Sequence, residues 1–405
     1  MMHYLSLMKV RPAARASGME YAIRDVVLPA RKLEQSGIEV TRMNIGDPDA
    51  YDFDTPEHIK RALFDAVLEG YNGYGDSEGD EELREAICRR ERVKNNNPVG
   101  KDDVVVTSGI TEGIQLTIGA LIEQGDELLV PGPTYPPYSS VTRYFGGRPV
   151  SYRTVEEEEW RPDLDDMRRR ISDRTRAILI VSPNNPTGAV YSEKDIRGIC
   201  DIAGEHGLPV ISDEIYDMLV YEGKHVSPSS ISRDVPLIIF NGFSKSYLVT
   251  GWRVGYVIFR DSGDSLAEFK DAFLKQVRAR LCASNPAQRA MIEALNGEQG
   301  HVREMIGKLR ERRNYAVKRI NAMDGLSVVR PRGAFYVFPK IESKRWRSDM
   351  DFVLDVLNRG HVLFVNGSGF DREYGSMHFR SVFLAPMDMM EKAMDGLENA
   401  ISTAK

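Results

Sequence analysis

Lys245 is the most demanding residue in this chain. It stands in FSKSYLVTGWRVGY (243–256), among small and apolar neighbours directly after the run PLIIF, and a single arginine, Arg253, follows eight residues later. Both cations sit in a stretch that reads as buried, and a buried cation is costly unless it is paired or its chemistry is used. Lysine is the cation that burial most readily shifts toward its neutral, nucleophilic form. Other chemistry-bearing groups follow short apolar runs. Ser108-Gly109-Ile110-Thr111 opens a helical stretch, and the N–H groups and hydroxyls of such an opening make a seat for a phosphate. PTYPPY exposes Tyr135 between prolines, NNPTG presents two amides including Asn185, and PVIS delivers Asp213 with Tyr216 three residues on.

Each group has an ordinary reading as well. NPTG is turn chemistry, an aspartate at a strand end is often an N-cap, and a tyrosine beside prolines can simply pack. Taken together, a phosphate seat, an aromatic face, a carboxylate, hydrogen-bonding groups and a lysine suit a flat, phosphorylated, aldehyde-bearing heterocycle with a basic ring nitrogen.

The elements that must position these groups are legible. DVVVT (103–107), DELLVPG (126–132), RAILIVSP (176–183), LPVISDE (208–214), PLIIFN (236–241) and GYVIF (255–259) are continuous apolar runs, as in strands covered on both faces. Helix-length patterns such as TEGIQLTIGALIEQ and SEKDIRGICDIAGEHG, the latter ending at Gly207, lie between them. This alternation predicts an α/β fold with a mainly parallel sheet, and ligands of such sheets bind beyond the carboxyl ends of the strands. After Pro286 the pattern changes: a long amphipathic helix over 298–323 precedes the short strands LSVVR, AFYVFP, VLFVN and HFRSVFL, which predict a smaller α+β domain joined by the N-terminal residues.

Composition narrows the class. The chain has 405 residues, a length that favours two domains, with 42% hydrophobic and 28% charged residues. A net charge of -6 and a pI near 5.8 give no reason to expect nucleic acid or an anionic membrane as partner. Cys88, Cys200 and Cys282 lie far apart without metal-binding spacing, which predicts reduced structural thiols, a cytoplasmic protein and no metal site. MMHYLSLMKV is too short an apolar run for a signal peptide, and RPAARAS reads as a solvated arm rather than a transit peptide. The charged stretches MRRRISDRTR, KLRERRNYAVKR and EEEE are expected to be solvated faces.

GFSKSYLVTGWRVG, with YGDSEGDEELREAI, PGPTYPPY, SPNNPTG, SDEIYD, RGAFYVFPKIE and HFRSVFLAP in order, resembles the class I/II aminotransferases of the aspartate-aminotransferase superfamily, fold type I. The resemblance runs from about Met19 to about residue 400. EYAIRDVVLPAR, NIGDP and YPPY make it most similar to archaeal-type alanine aminotransferases. It implies a large domain over 54–290 with a seven-stranded sheet, and a small domain built from 291–405 and part of 1–53.

It also implies pyridoxal 5'-phosphate as cofactor. Lys245 resembles the Schiff-base lysine and Asp213 the partner of the pyridine nitrogen. Asn185 and Tyr216 resemble the donors to the phenolate oxygen, and Tyr135 the ring-stacking residue. Gly109, Ile110, Thr111, Ser244 and Arg253 would hold the phosphate. Arg380 resembles the bidentate clamp on the substrate α-carboxylate, with Gly46 and Asn185 beside it. Tyr74 matches a tyrosine lent across a homodimer interface to the neighbour's phosphate.

The activity implied is a ping-pong transamination between an L-amino acid and a 2-oxo acid: L-alanine with 2-oxoglutarate, or alternatively aspartate or a broad set. A lyase on the same fold would use the same residues. A non-catalytic regulator would carry an N-terminal DNA-binding domain, and only a short arm precedes this fold. Two positions depart from the family pattern: Gly242 stands where many relatives carry serine, and VNGSGFD replaces a proline-glycine loop.

Overall fold

The computed structural model of the chain describes residues 10–17, 19 and 26–403. The first nine residues and the whole of EYAIRD, the start of EYAIRDVVLPAR, lie outside the described residues.

Eight strands form one sheet: β1 (Val104–Thr107), β2 (Glu127–Gly132), β3 (Arg148–Val155), β4 (Arg161–Pro162), β5 (Thr175–Val181), β6 (Val210–Asp213), β7 (Leu237–Gly242) and β8 (Gly255–Arg260). Their order is β1-β8-β7-β6-β5-β2-β3-β4. The pairs from β3 through β2, β5 and β6 to β7 are all parallel. β8 runs antiparallel between β7 and β1, and the two-residue β4 is antiparallel to β3. The expected seven strands are present, prolonged by this short eighth. All six apolar runs are strands. The two strands they did not include are β4, only two residues long, and β3, RPVSYRTV, of which only some side chains are buried.

Both faces of the sheet are covered. Val105, Leu128, Leu179, Ile211, Ile238 and Val257 point into one apolar core. Their neighbours Val104, Leu129, Ile178, Val210, Leu237 and Ile258 point into the other. The two-residue strand period places alternate residues on opposite faces, so uninterrupted apolar runs are what a doubly covered sheet requires.

Helices α1 (Ile110–Leu121), α2 (Pro136–Tyr144), α3 (Leu164–Arg170) and α4 (Glu193–Glu205) pack around the sheet. A Ser192–Asp195 capping box starts α4, and Gly207, in the left-handed region at φ +62°, follows its end. The long helix α5 (Gly300–Asn321) crosses toward the C-terminal segments. There Tyr336–Val337 and Val365–Asn366 flank Phe379–Val382, both antiparallel to it. Thr41–Arg42 pairs parallel with Val362–Leu363, so the N-terminal segment is tied to the C-terminal one.

One expectation is corrected on α5. The stretch KLRERRNYAVKR is not a solvated face throughout, since Arg312 and Arg313 are buried. Arg312 donates to Asp52 at 2.6 Å and lies over the Phe53 ring. Arg313 donates to the Pro331 carbonyl at 3.0 Å and to Glu222 at 2.9 Å, over the Tyr221 ring. A planar guanidinium keeps its charge out of water when carboxylate, carbonyl and ring surround it in this way. No helix among the described residues is long and apolar enough to cross a membrane.

Candidate active site

Parallel strands place their carboxyl ends on a single edge of the sheet. Here β1 ends before Ser108, β2 before Tyr135, β5 before Asn185, β6 at Asp213 and β7 before Ser244 and Lys245. Antiparallel β8 starts at that same edge, where Gly255 pairs with both Gly242 and Thr107, and so brings in Arg253. A cavity of about 250 Å³ lies there. Its walls include Gly46, Ile110, Thr111, Tyr135, Asn185, Asp213, Tyr216, Ser244, Lys245, Arg253 and Arg380. Of the residues singled out in the sequence for this site, Ser108, Gly109 and Tyr74 are not on its walls. Gly109 lies behind Ile110, packed so closely under the Arg253 guanidinium that a Cβ would collide with it. Tyr74 is on a loop with its side chain 84% exposed.

Lys245 reaches across the cavity, and its Nζ donates to the Gly46 carbonyl at 2.7 Å. Burial pulls its pKa from 10.5 down to about 8; Asp47 opposes the shift, while Arg253 and Arg380 reinforce it. A fraction of this amine is therefore neutral near neutral pH, the state needed of a nucleophile or base.

Asp213 is buried, and burial raises its carboxyl to about 6 despite a hydrogen bond from the Tyr138 hydroxyl at 2.7 Å and one from the Ile215 N–H at 3.1 Å. A carboxylate held this far from water gains most from a cationic partner inside the cavity. Tyr216 is buried beside it, its hydroxyl 2.8 Å from that of Tyr336, and burial holds it well above the usual phenol range.

Arg380 is 1% exposed. One of its terminal nitrogens donates to Asn185 Oδ1 at 3.0 Å and the other to the Asn44 carbonyl at 2.5 Å, while its buried Nε has no partner among the described residues. The rings of Tyr336 and Phe370 lie against it, with centroids 4.6 Å and 4.9 Å from Cζ. A buried guanidinium with no carboxylate counter-ion among the described residues is what an incoming carboxylate would complete.

The opposite end is open. Gly109, at φ +73°, turns the chain into α1 and directs the first amides of the helix outward. Arg253 is not buried as its sequence neighbours suggest: it is exposed at the cavity rim, in the left-handed region at φ +57°, and donates to the Thr250 carbonyl at 2.9 Å. The departure at Gly242 has a steric reason. A Cβ there would stand 2.9 Å from Gly255 Cα and 3.1 Å from the Val254 carbonyl, across the β7–β8 pair.

Sequence reasoning did not single out Tyr138, Tyr336 or Phe370. Tyr138 lies three residues after Tyr135, one helical turn along α2, and that spacing was the available signal. Tyr336 and Phe370 lie in RGAFYVFPKIE and VNGSGFD, stretches noted in the sequence, but nothing local places either ring against Arg380.

Comparison with known proteins agrees with this arrangement. Residues 38–397 match the model for aminotransferase class I and II. The glutamate-pyruvate aminotransferase AlaA of Escherichia coli is 38% identical over 403 residues, covering 96% of this chain and 98% of that one. An alanine aminotransferase structure from Pyrococcus furiosus is 54% identical with a TM-score of 0.95, covering 97% and 100%. A Thermus thermophilus aspartate aminotransferase structure with maleate is 31% identical with a TM-score of 0.88, covering 97% and 100%. With a matching model over most of its length and relatives aligned nearly end to end, this chain belongs to the class I and II aminotransferases.

Proposed function

We propose that the enzyme exchanges an amino group between L-alanine and 2-oxoglutarate, giving pyruvate and L-glutamate in a ping-pong sequence. The cofactor of the family is pyridoxal phosphate. The cavity suits that group: a buried carboxylate with no ion-pair partner among the described residues, a lysine shifted toward neutrality, and a helix start beside an arginine. When bound, it supplies a protonated ring that takes up the electron pair left as the substrate Cα loses its proton.

The chain's own residues have separate tasks in this reading. Asp213 holds the proton on the ring nitrogen, and Asn185 and Tyr216 orient the ring through its oxygen. Tyr135 covers the ring face. Ile110, Thr111, Ser244 and Arg253, with Gly109 behind them, seat the phosphate. Lys245 anchors the cofactor and then carries the proton from the substrate Cα. Arg380 binds the α-carboxylate in a two-pronged grip, with Asn185 and Gly46 alongside. The observation that carries the reading is that Lys245, Asp213 and Arg380 line one cavity.

The partner subunit is part of the proposal. Tyr74 is exposed on a loop that follows the helix Glu57–Leu68, where Phe64 (62%) and Leu68 (69%) are exposed too. An apolar helix face next to an exposed tyrosine supports a two-fold homodimer in which each chain lends Tyr74 to the other's phosphate seat. A division into a domain over 54–290 and a smaller one from 1–53 and 291–405 is supported by the pairing of residues 41–42 with 362–363. A cytoplasmic location is supported by Cys88, Cys200 and Cys282, all unpaired.

Alanine as donor is supported by the names of the similar proteins from E. coli and P. furiosus. The test is a half-reaction scan of the cofactor-loaded enzyme by visible absorption. L-alanine and L-glutamate should each change the spectrum once, and a 2-oxo acid should restore it. Continued turnover on an amino acid alone, beyond one product per site, would indicate a lyase, and no response to alanine would overturn the substrate assignment.

A further inference from the structure

The loop that departs from the family pattern, VNGSGFDREYG (365–375), makes three directed contacts. Its neck is pinched at two glycines: a Cβ on Gly367 would collide with the Gly375 carbonyl, and one on Gly375 with the Gly367 carbonyl. From this neck Phe370, 3% exposed, is laid against the Arg380 guanidinium. Asp371 accepts a hydrogen bond from the Ser151 hydroxyl on β3. The Tyr374 ring rests on Gly132, where a side chain would collide with it, and its hydroxyl accepts from Arg170 at the end of α3 at 2.8 Å. The loop is thus fastened at two points, both just after Phe370 in the chain: Asp371 to β3, and Tyr374 to β2 and the end of α3.

We infer that Phe370 is a positioning residue for the substrate carboxylate, and that the Asp371–Ser151 and Tyr374–Arg170 contacts are the latch that holds it in place. This rests on the reading of Arg380 as the α-carboxylate clamp. Hydrogen bonds to Asn185 and Asn44 fix two of the guanidinium nitrogens, but they do not fix the tilt of its plane. Tyr336 on one contact and Phe370 on another do, and a flat cation against aromatic rings is held by electrostatic attraction as well as packing. A bidentate grip depends on that tilt, because both N–H bonds to a carboxylate must lie in one plane. The latch couples the tilt to β3 and α3, elements that contribute nothing else to the cavity walls.

The test is steady-state kinetics of the cofactor-loaded enzyme with Phe370→Leu, Ser151→Ala, Arg380→Lys and the double variant Phe370→Leu/Arg380→Lys. Phe370→Leu should lower kcat/KM about tenfold for the amino acid and the 2-oxo acid alike, mainly through KM. Phe370→Tyr, which restores a ring, should recover most of the loss. Ser151→Ala, at a half-buried edge position where folding is not at stake, should move both KM values in the same direction by about twofold to fourfold. The double variant should be no worse than Arg380→Lys alone, because Phe370 acts through the native guanidinium. Additive losses, an effect on one substrate only, or unchanged KM in both Phe370→Leu and Ser151→Ala would overturn the inference. If Arg380→Lys itself leaves both KM values intact, the clamp reading fails instead, and the two failures are told apart.

Discussion

The Tyr138 hydroxyl donates to Asp213 Oδ2 at 2.7 Å, and both groups are buried. The phenol is the side-chain donor that restrains the rise of the Asp213 carboxyl above its ordinary range, a rise caused by burial.

Tyr138→Phe removes that donor and leaves the ring packing. In the cofactor-free protein the Asp213 carboxyl should then titrate higher than about 6, by on the order of one pH unit, as followed by isotope-edited infrared absorption. In the loaded enzyme the carboxylate loses one of the two donors that hold its orientation, Tyr138 and the Ile215 N–H, so cofactor affinity should fall. An unchanged titration would mean that backbone donors alone hold Asp213.

Lys245 has a folded-state pKa near 8 against its ordinary 10.5. Between those values the unfolded chain binds more protons than the folded one, so the stability of the cofactor-free protein should rise with pH across that window. Below pH 8 the half-buried charge is a cost. Lys245→Met should therefore be more stable than the wild type at pH 7, by on the order of 2 kcal/mol, with the advantage fading above pH 10. Denaturant midpoints across pH measure this. In the loaded wild-type enzyme, borohydride should fix cofactor mass to the peptide containing Lys245, and label at another lysine would refute the assignment.

Arg380→Lys keeps the charge and loses the two-pronged geometry. The loss should be on the order of 2–5 kcal/mol in kcat/KM, and equal for amino acid and 2-oxo acid because both present the same α-carboxylate. A loss confined to one substrate would make Arg380 a selector of side chains.

Gly242→Ser should destabilise the fold by about 1–3 kcal/mol, because the atoms its Cβ would meet are main chain of β8 and of the residue before it, and these cannot step aside. Urea denaturation measures it. A neutral result would show that the β7–β8 pair yields more readily than its close approach implies.

Tyr74→Phe should weaken cofactor binding about tenfold, the size of one hydrogen bond to a charged group. Mixing these chains with Lys245→Ala chains should rebuild one complete site per heterodimer, with wild-type affinity. If subunits exchange and affinity stays low, Tyr74 acts within its own chain and the shared site falls.

Much of this enzyme can be read from local sequence. A strand buried on both faces has to be a short, continuous apolar run, and each of the six such runs is a strand. The residue after a parallel strand's carboxyl end has to lie at the ligand edge, so Thr111, Tyr135, Asn185, Asp213 and Lys245 were identifiable as a group before any contact was known. β3 was not legible, because a partly exposed strand carries no unbroken apolar signal. The relationships decided by tertiary structure are those between distant segments: Tyr138 with Asp213, Tyr336 and Phe370 around Arg380, and Arg312 and Arg313 folded inward from a helix that reads as charged. Local periodicity specifies which face of an element is apolar. It does not specify which polar atom on another element will meet a buried charge, because that depends on register and packing across the whole core.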